Sequence, residues 1–130
     1  MLFRSLISLH EIPGVTLYSL QRDQDLIANL PFQDLKDDMQ SWEDTASIVA
    51  GLDLVITSCT SVAHLSAALG VETWIIVPVL PYYLWAVPGN KSAWYDSVKL
   101  FRQTKYGDWS EPLNAVRYAL QSKVGFKEAA

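Results

Sequence analysis

Apolar residues along this chain fall into short runs of strand length, separated by stretches with helical spacing. Thr73–Val77 reads T-W-I-I-V and stops at Pro78. Val98–Arg102 reads V-K-L-F-R, and Asp53–Thr57 carries Leu54-Val55-Ile56 just after Gly51. Branched and aromatic side chains fit a pleated surface, so each run predicts a strand. Val15–Leu20, set off by Pro13-Gly14, predicts another, and a weaker one is expected near Leu35. Runs that stay apolar on successive residues suit a parallel sheet covered on both faces.

Helical patterns lie between the strands. Arg4–Glu11 predicts a helix leading into the Pro13-Gly14 break. Ser41-Trp42-Glu43-Asp44 has the form of a capping box, with Ser41 as N-cap and a carboxylate three residues on. That helix is expected to run to about Ala50 and close at Gly51. Val62, Leu65 and Leu69 share one face of a helix ending at Gly70, and their side chains are expected to form its buried stripe. Ser110-Glu111-Pro112 opens the last helix, with proline in the first turn, where its missing N–H costs little. Leu113, Val116 and Leu120 would be its buried face.

Alternation of strand and helix predicts an α/β fold, a Rossmann-like doubly wound parallel sheet of about five strands. We expect a single domain over 1–130, with a linker helix over about 1–12 and a core over about 13–121. In such sheets ligands bind beyond the carboxyl ends of the strands. The segments on that edge are Gln21-Arg22-Asp23, the turn into Ser41–Asp44, Thr57–Ser61, Pro78–Asn90, and Arg102 onward.

Composition narrows the function. Ten Lys and Arg against fourteen Asp and Glu leave a net charge of −4, the wrong sign for a nucleic-acid partner. Cys59 is the only cysteine and the two histidines, His10 and His64, are far apart, so no Cys/His metal site is expected. Thr73–Asn90 has no formal charge, but Pro78, Pro81 and Pro88 argue for a strand and loop over a membrane helix. A cytoplasmic protein without a membrane span is expected.

The richest edge segment is Thr57-Ser58-Cys59-Thr60-Ser61-Val62-Ala63-His64. Hydroxyl residues follow a buried strand and open a helix whose free N–H groups favour an anion, commonly phosphate. At about 100° per residue, with Thr60 at 0°, His64 falls near 40° and the Val62, Leu65, Leu69 stripe at about 140–200°. His64 is therefore placed off that stripe, able to donate to a phosphate or sugar hydroxyl. The same residues also serve a plain structural reading, with Ser and Thr as N-caps and His64 bonded to a backbone carbonyl. Tyr82, Tyr83, Trp85, Trp94 and Tyr95 crowd the loop after Thr73–Val77. They suit either sugar and base contacts or burial in a packed loop. Asp44 and Thr45 either accept from a ribose or sugar hydroxyl or complete a cap. Gln21 is one amide at a strand end. Arg22, Lys91, Arg102 and Lys105 are the available phosphate-neutralising charges, and each equally fits a solvated surface. No G-x-x-x-x-G-K-[ST], G-x-G-x-x-G or G-x-S-x-G is present, and the acidic pattern of a receiver domain is missing.

Five stretches together resemble one family: Val15–Gln21, Trp42–Ala46, Asp53–Leu69, W-Y-D-S-V-K-L-F-R-Q from Trp94, and G-D-W from Gly107. The chain is similar, from about Leu2 to Leu120, to the C-terminal half of family 9 glycosyltransferases. This is the heptosyltransferase group, and forms fused to tetratricopeptide repeats are the most alike. The resemblance implies one half of a GT-B fold, binding the nucleotide-sugar donor of a metal-independent, inverting transfer. No cofactor is implied. The acceptor site is expected on an N-terminal domain or another chain, with the isolated half inactive. It implies donor or phosphate contacts from Gln21, Asp44, Thr45, Thr60, Ser61 and His64, to which the hydroxyl-rich segment adds Ser58. Tyr82, Tyr83, Trp85 and Lys91 are candidates for sugar or base contacts. Cys59 stands where the family commonly has Asp. An alternative expectation is a non-catalytic interaction or assembly module derived from such an enzyme. Nucleotide base, sugar and acceptor are not legible in the sequence.

Overall fold

The computed structural model describes residues 5–21 and 32–129. Its strands are β1 (Tyr18–Ser19), β2 (Gln33–Asp34), β3 (Val55–Ser58), β4 (Thr73–Val77) and β5 (Val98–Arg102). Its α-helices are α1 (Trp42–Ala50), α2 (Ser61–Ala68) and α3 (Ser110–Ala129). The fold is α/β with every ladder parallel, β1 with β2 and β3-β4-β5 in that order. The strands thus form two sheets, of two and three strands, where one sheet of about five was expected. The chain forms two compact units, Met1–Thr45 with Arg117–Ala130, and Ala46–Val116.

In the first unit the expected helix is present over its described part: Ser5 and Leu6 are α-helical and Ile7–Glu11 continues as a 3-10 helix, while residues 1–4 lie outside the described residues. Pairing of β1 is confined to Tyr18 and Ser19, shorter than the expected Val15–Leu20. The strand expected near Leu35 exists as Gln33–Asp34. Arg117 ties the unit across the sequence, donating from Nη1 to the Ser8 carbonyl at 3.0 Å and pairing with Glu11 at 3.3 Å. Ser41 and Asp44 form the reciprocal box at the start of α1. The Asp44 N–H donates to Ser41 Oγ at 3.1 Å, and the Ser41 N–H donates to Asp44 Oδ2 at 3.0 Å.

In the second unit, β4 is central and all five of its residues are buried. Successive side chains of a strand point to opposite faces. Ile75 and Val77 meet Ala63 and Ala67 of α2, together with Trp85, Val98 and Leu100, in one buried cluster. Trp74 and Phe101 form a ring pair 5.4 Å apart, and the Lys99 ammonium lies over both. The buried face of α2 is Ala63, Ser66 and Ala67, not the expected Val62, Leu65 and Leu69; Leu69 is 45% exposed. Small side chains let the helix approach the strands closely. A buried hydroxyl pair, Thr73 with Ser66 at 2.9 Å, pins the contact. Gly70, at φ 76°, closes α2, with its N–H on the Ala67 carbonyl and the Val71 N–H on the Ser66 carbonyl. That is the paired-bond helix stop that needs a left-handed residue.

The two crossovers of this sheet differ. β3 reaches β4 through α2, whereas β4 reaches β5 through residues 78–97, whose only regular element is a 3-10 turn at Tyr83–Trp85. Trp85, 1% exposed, supplies the apolar bulk there that a helix would otherwise bring. Arg102 fastens the same segment by donating to the Gly89 and Val87 carbonyls. Among the described residues no helix is long and apolar enough to cross a membrane, and the uncharged stretch from Thr73 is β4 and its following loop.

Candidate functional site

The carboxyl edge of the three-stranded sheet is built by the residues that leave β3, β4 and β5. β3 ends at half-buried Ser58, and the chain turns sharply as the Thr60 N–H bonds the Ser58 carbonyl at 2.8 Å. Thr60 is the N-cap of α2, in extended backbone, yet its side chain makes no cap bond. Its hydroxyl pairs instead with the Thr57 hydroxyl at 3.2 Å. The Ala63 N–H reaches the Thr60 carbonyl at 3.1 Å. Among the described residues, the Ser61 and Val62 N–H groups therefore have no protein acceptor. Thr60 and Ser61 are exposed, so the positive end of α2 opens to solvent.

His64 stands one turn further along. Its ring stacks on Trp85 with centroids 5.1 Å apart and meets the Tyr95 ring edge-on at 5.9 Å. Nδ1 lies 3.1 Å from the Tyr95 hydroxyl. A hydroxyl donating to Nδ1 leaves the proton on Nε2, which then serves as a donor. Position and orientation of the imidazole are thus fixed by two aromatic side chains rather than by a backbone carbonyl.

The other two strand ends hold the edge together. The Cys59 thiol, half-buried, faces the Ile76 carbonyl at 3.9 Å. Burial pushes its pKa up, and the nearby Arg102 charge offsets this only in part, so the thiol stays protonated and is a poor nucleophile. Buried Gln103, just past β5, accepts the Val79 N–H at Oε1 over 3.1 Å. Its Nε2 is buried with no hydrogen-bond partner among the described residues.

Ser58, Thr60, Ser61 and His64 are therefore brought together at one strand-to-helix junction. Gln21, Asp44 and Thr45 belong to the first unit. There the Gln21 N–H bonds Ser19 Oγ at 3.3 Å, and Asp44 serves the capping box. Thr45 is buried, with its hydroxyl donating to the Ser41 carbonyl at 3.1 Å. Trp85 is buried, with its ring packed on His64 and within the apolar cluster. Tyr82 and Tyr83 are 60% and 67% exposed, with ring centroids 4.6 Å apart. Lys91 is exposed and its backbone bridges Lys99. Arg102 is committed to loop carbonyls, and Arg22 lies outside the described residues.

No protein-family model, curated protein or solved structure matches this chain. Two of the site's side chains have roles that no local sequence pattern signals. Tyr95 stood in the aromatic stretch, but no local pattern ties it to His64, thirty-one residues away. Gln103 sits beyond β5, where one amide carries no signal until the chain folds.

Proposed function

We propose that this chain is the donor-binding half of a metal-independent glycosyltransferase of the GT-B type, taking the diphosphate of a nucleotide-sugar at the start of α2. The observation that carries this reading is the uncapped helix: N–H groups of Ser61 and Val62 without a protein acceptor among the described residues, with the Thr60 and Ser61 hydroxyls alongside and His64 held one turn away. Such a junction suits an anionic oxygen. The likeness of the Asp53–Leu69 stretch to family 9 glycosyltransferases supplies the sugar-nucleotide part of the proposal. Transfer would then require an acceptor-binding domain or chain in addition to these residues.

The test is thermal unfolding and NMR titration with UDP, GDP, ADP and their sugar conjugates. At ligand tenfold above Kd, stabilisation of ~1.4 kcal/mol is expected, with amide shifts at Ser61, Val62 and His64. Flat titrations with a well-dispersed spectrum would reject a working donor site in this half.

A second reading is supported by two observations. Cys59 is a protonated thiol where the resembled family has a carboxylate. Leu80, Tyr82, Tyr83 and Val87 also leave apolar surface exposed along the second crossover. Together they suit an interaction module that has lost donor binding. Self-association or partner capture through that loop, with no nucleotide effect, would decide for it.

A further inference from the structure

A groove of about 630 Å³ opens at the opposite end of α2 from Thr60, between the helix's last turn and the segment leading into β5. Ala67, Ala68 and Gly70 are among its lining residues. Where a Cβ on Gly70 would stand, no atom lies within 4 Å, so this side of the groove is open. Ser97 Oγ donates to the Ala67 carbonyl at 3.1 Å and fixes the segment against the helix. Trp94, Tyr95 and Asp96 complete the groove. The Trp94 indole is 63% exposed, although large aromatic rings usually bury. The exposed Asp96 carboxylate makes no hydrogen bond or ion pair with another described residue. No Lys or Arg lines the groove.

Three features of one sign line it: an exposed indole, a carboxylate with no partner among the described residues, and the C-terminal end of the α2 dipole. We propose that this groove binds an organic cation, an alkylammonium or guanidinium group whose apolar flank lies on Trp94 while its charge faces Asp96. A free amine and the side chain of a Lys or Arg on another protein share this chemistry. The groove shares Tyr95 with the phosphate junction, where that residue's hydroxyl meets His64, but the proposal does not rest on the glycosyltransferase reading.

The test follows the Trp94 indole N–H by NMR in the full chain. The probes are n-butylammonium chloride, N-acetyl-lysine methylamide, and n-butanol as a neutral isostere, at matched ionic strength. The Trp94 signal and the Gly70 and Ser97 amides are expected to shift saturably with both cations and not with n-butanol. Asp96→Asn should weaken binding by roughly fivefold and Trp94→Ala by at least as much, as a solvent-exposed cation contact implies. Both positions are exposed, so unchanged far-UV circular dichroism is the control. A stronger response to the lysine derivative would assign a protein side chain as the source, and a stronger response to the simple amine a small molecule. Equal shifts from n-butanol, no saturable shift from either cation, or an Asp96→Asn variant that binds as well as the parent would each overturn the proposal.

Discussion

Cys59 and Ser61 occupy the same turn and call for opposite experiments. The Cys59 thiol is raised by burial, with Arg102 acting against it. Alkylation by iodoacetamide should therefore gain speed only above the pH at which an unfolded-chain thiol reacts, and Arg102→Ala should move that onset higher. The linkage has a definite sign. Below the unfolded thiol's pKa both states keep the proton and stability is unaffected. As pH rises through the folded pKa, the unfolded state ionises first and stability falls. Asp108 behaves in the reverse sense. Bonds from the Ser110 hydroxyl and N–H hold its carboxyl below the usual range, so its contribution is present above that range and disappears as pH falls through the folded pKa. An acid titration followed by circular dichroism should show Asp108→Asn flattening the low-pH limb. Ser61 offers a substitution that separates ligand from fold. It is the first residue of α2, and Thr60 before it is already extended, so proline fits both positions. Ser61→Pro deletes one free N–H; if an anion sits there, nucleotide affinity should drop by roughly tenfold, the worth of one charge-assisted bond, with melting unchanged.

At the scale of elements, the aromatic crossover is the vulnerable part. Trp85→Ala should destabilise the protein by about 3–5 kcal/mol, since the buried ring fills the space beside β4 and β5. Ala63→Leu should cost about 1–3 kcal/mol by forcing α2 off the sheet. Chemical denaturation of each variant measures both. The same elements show what could be read in advance. β4 and β5 were legible to the residue because apolar runs with hard ends leave one choice of register. The α1 box was legible because it is entirely local. The buried face of α2 is not legible from hydrophobicity, which ranks Val62, Leu65 and Leu69 above Ala63, Ser66 and Ala67. Close packing on a sheet selects for size, and the tryptophan that fills the remaining volume comes from a different segment. The junction at Thr60 and Ser61 could be located from its hydroxyls, whereas its missing side-chain cap could not, because that depends on Thr57 taking the hydroxyl away. Tyr95 and Gln103 join the site only through tertiary contacts.

For the molecule as a whole, acidic composition and an exposed aromatic loop pull in different directions. The sequence pI is ≈ 5.0, so repulsion between copies vanishes near that pH. Solubility should pass through a minimum there, measurable by turbidity, and Tyr82→Ser with Tyr83→Ser should relieve it. Arg117 joins residues at the two ends of the sequence within the first unit. Because the pair is exposed, Arg117→Ala should cost no more than ~1 kcal/mol in thermal unfolding.

The stack of Trp85 on His64 carries one more consequence. An indole stacked on an imidazole, here with centroids 5.1 Å apart, loses excited-state energy to it, and the loss depends on the charge and tilt of that ring. Anything that grips His64 must therefore change how brightly Trp85 glows. With the four other tryptophans replaced by phenylalanine, this chain would be its own optical reporter, and occupancy of the junction could be watched in a cuvette without label or coupled assay.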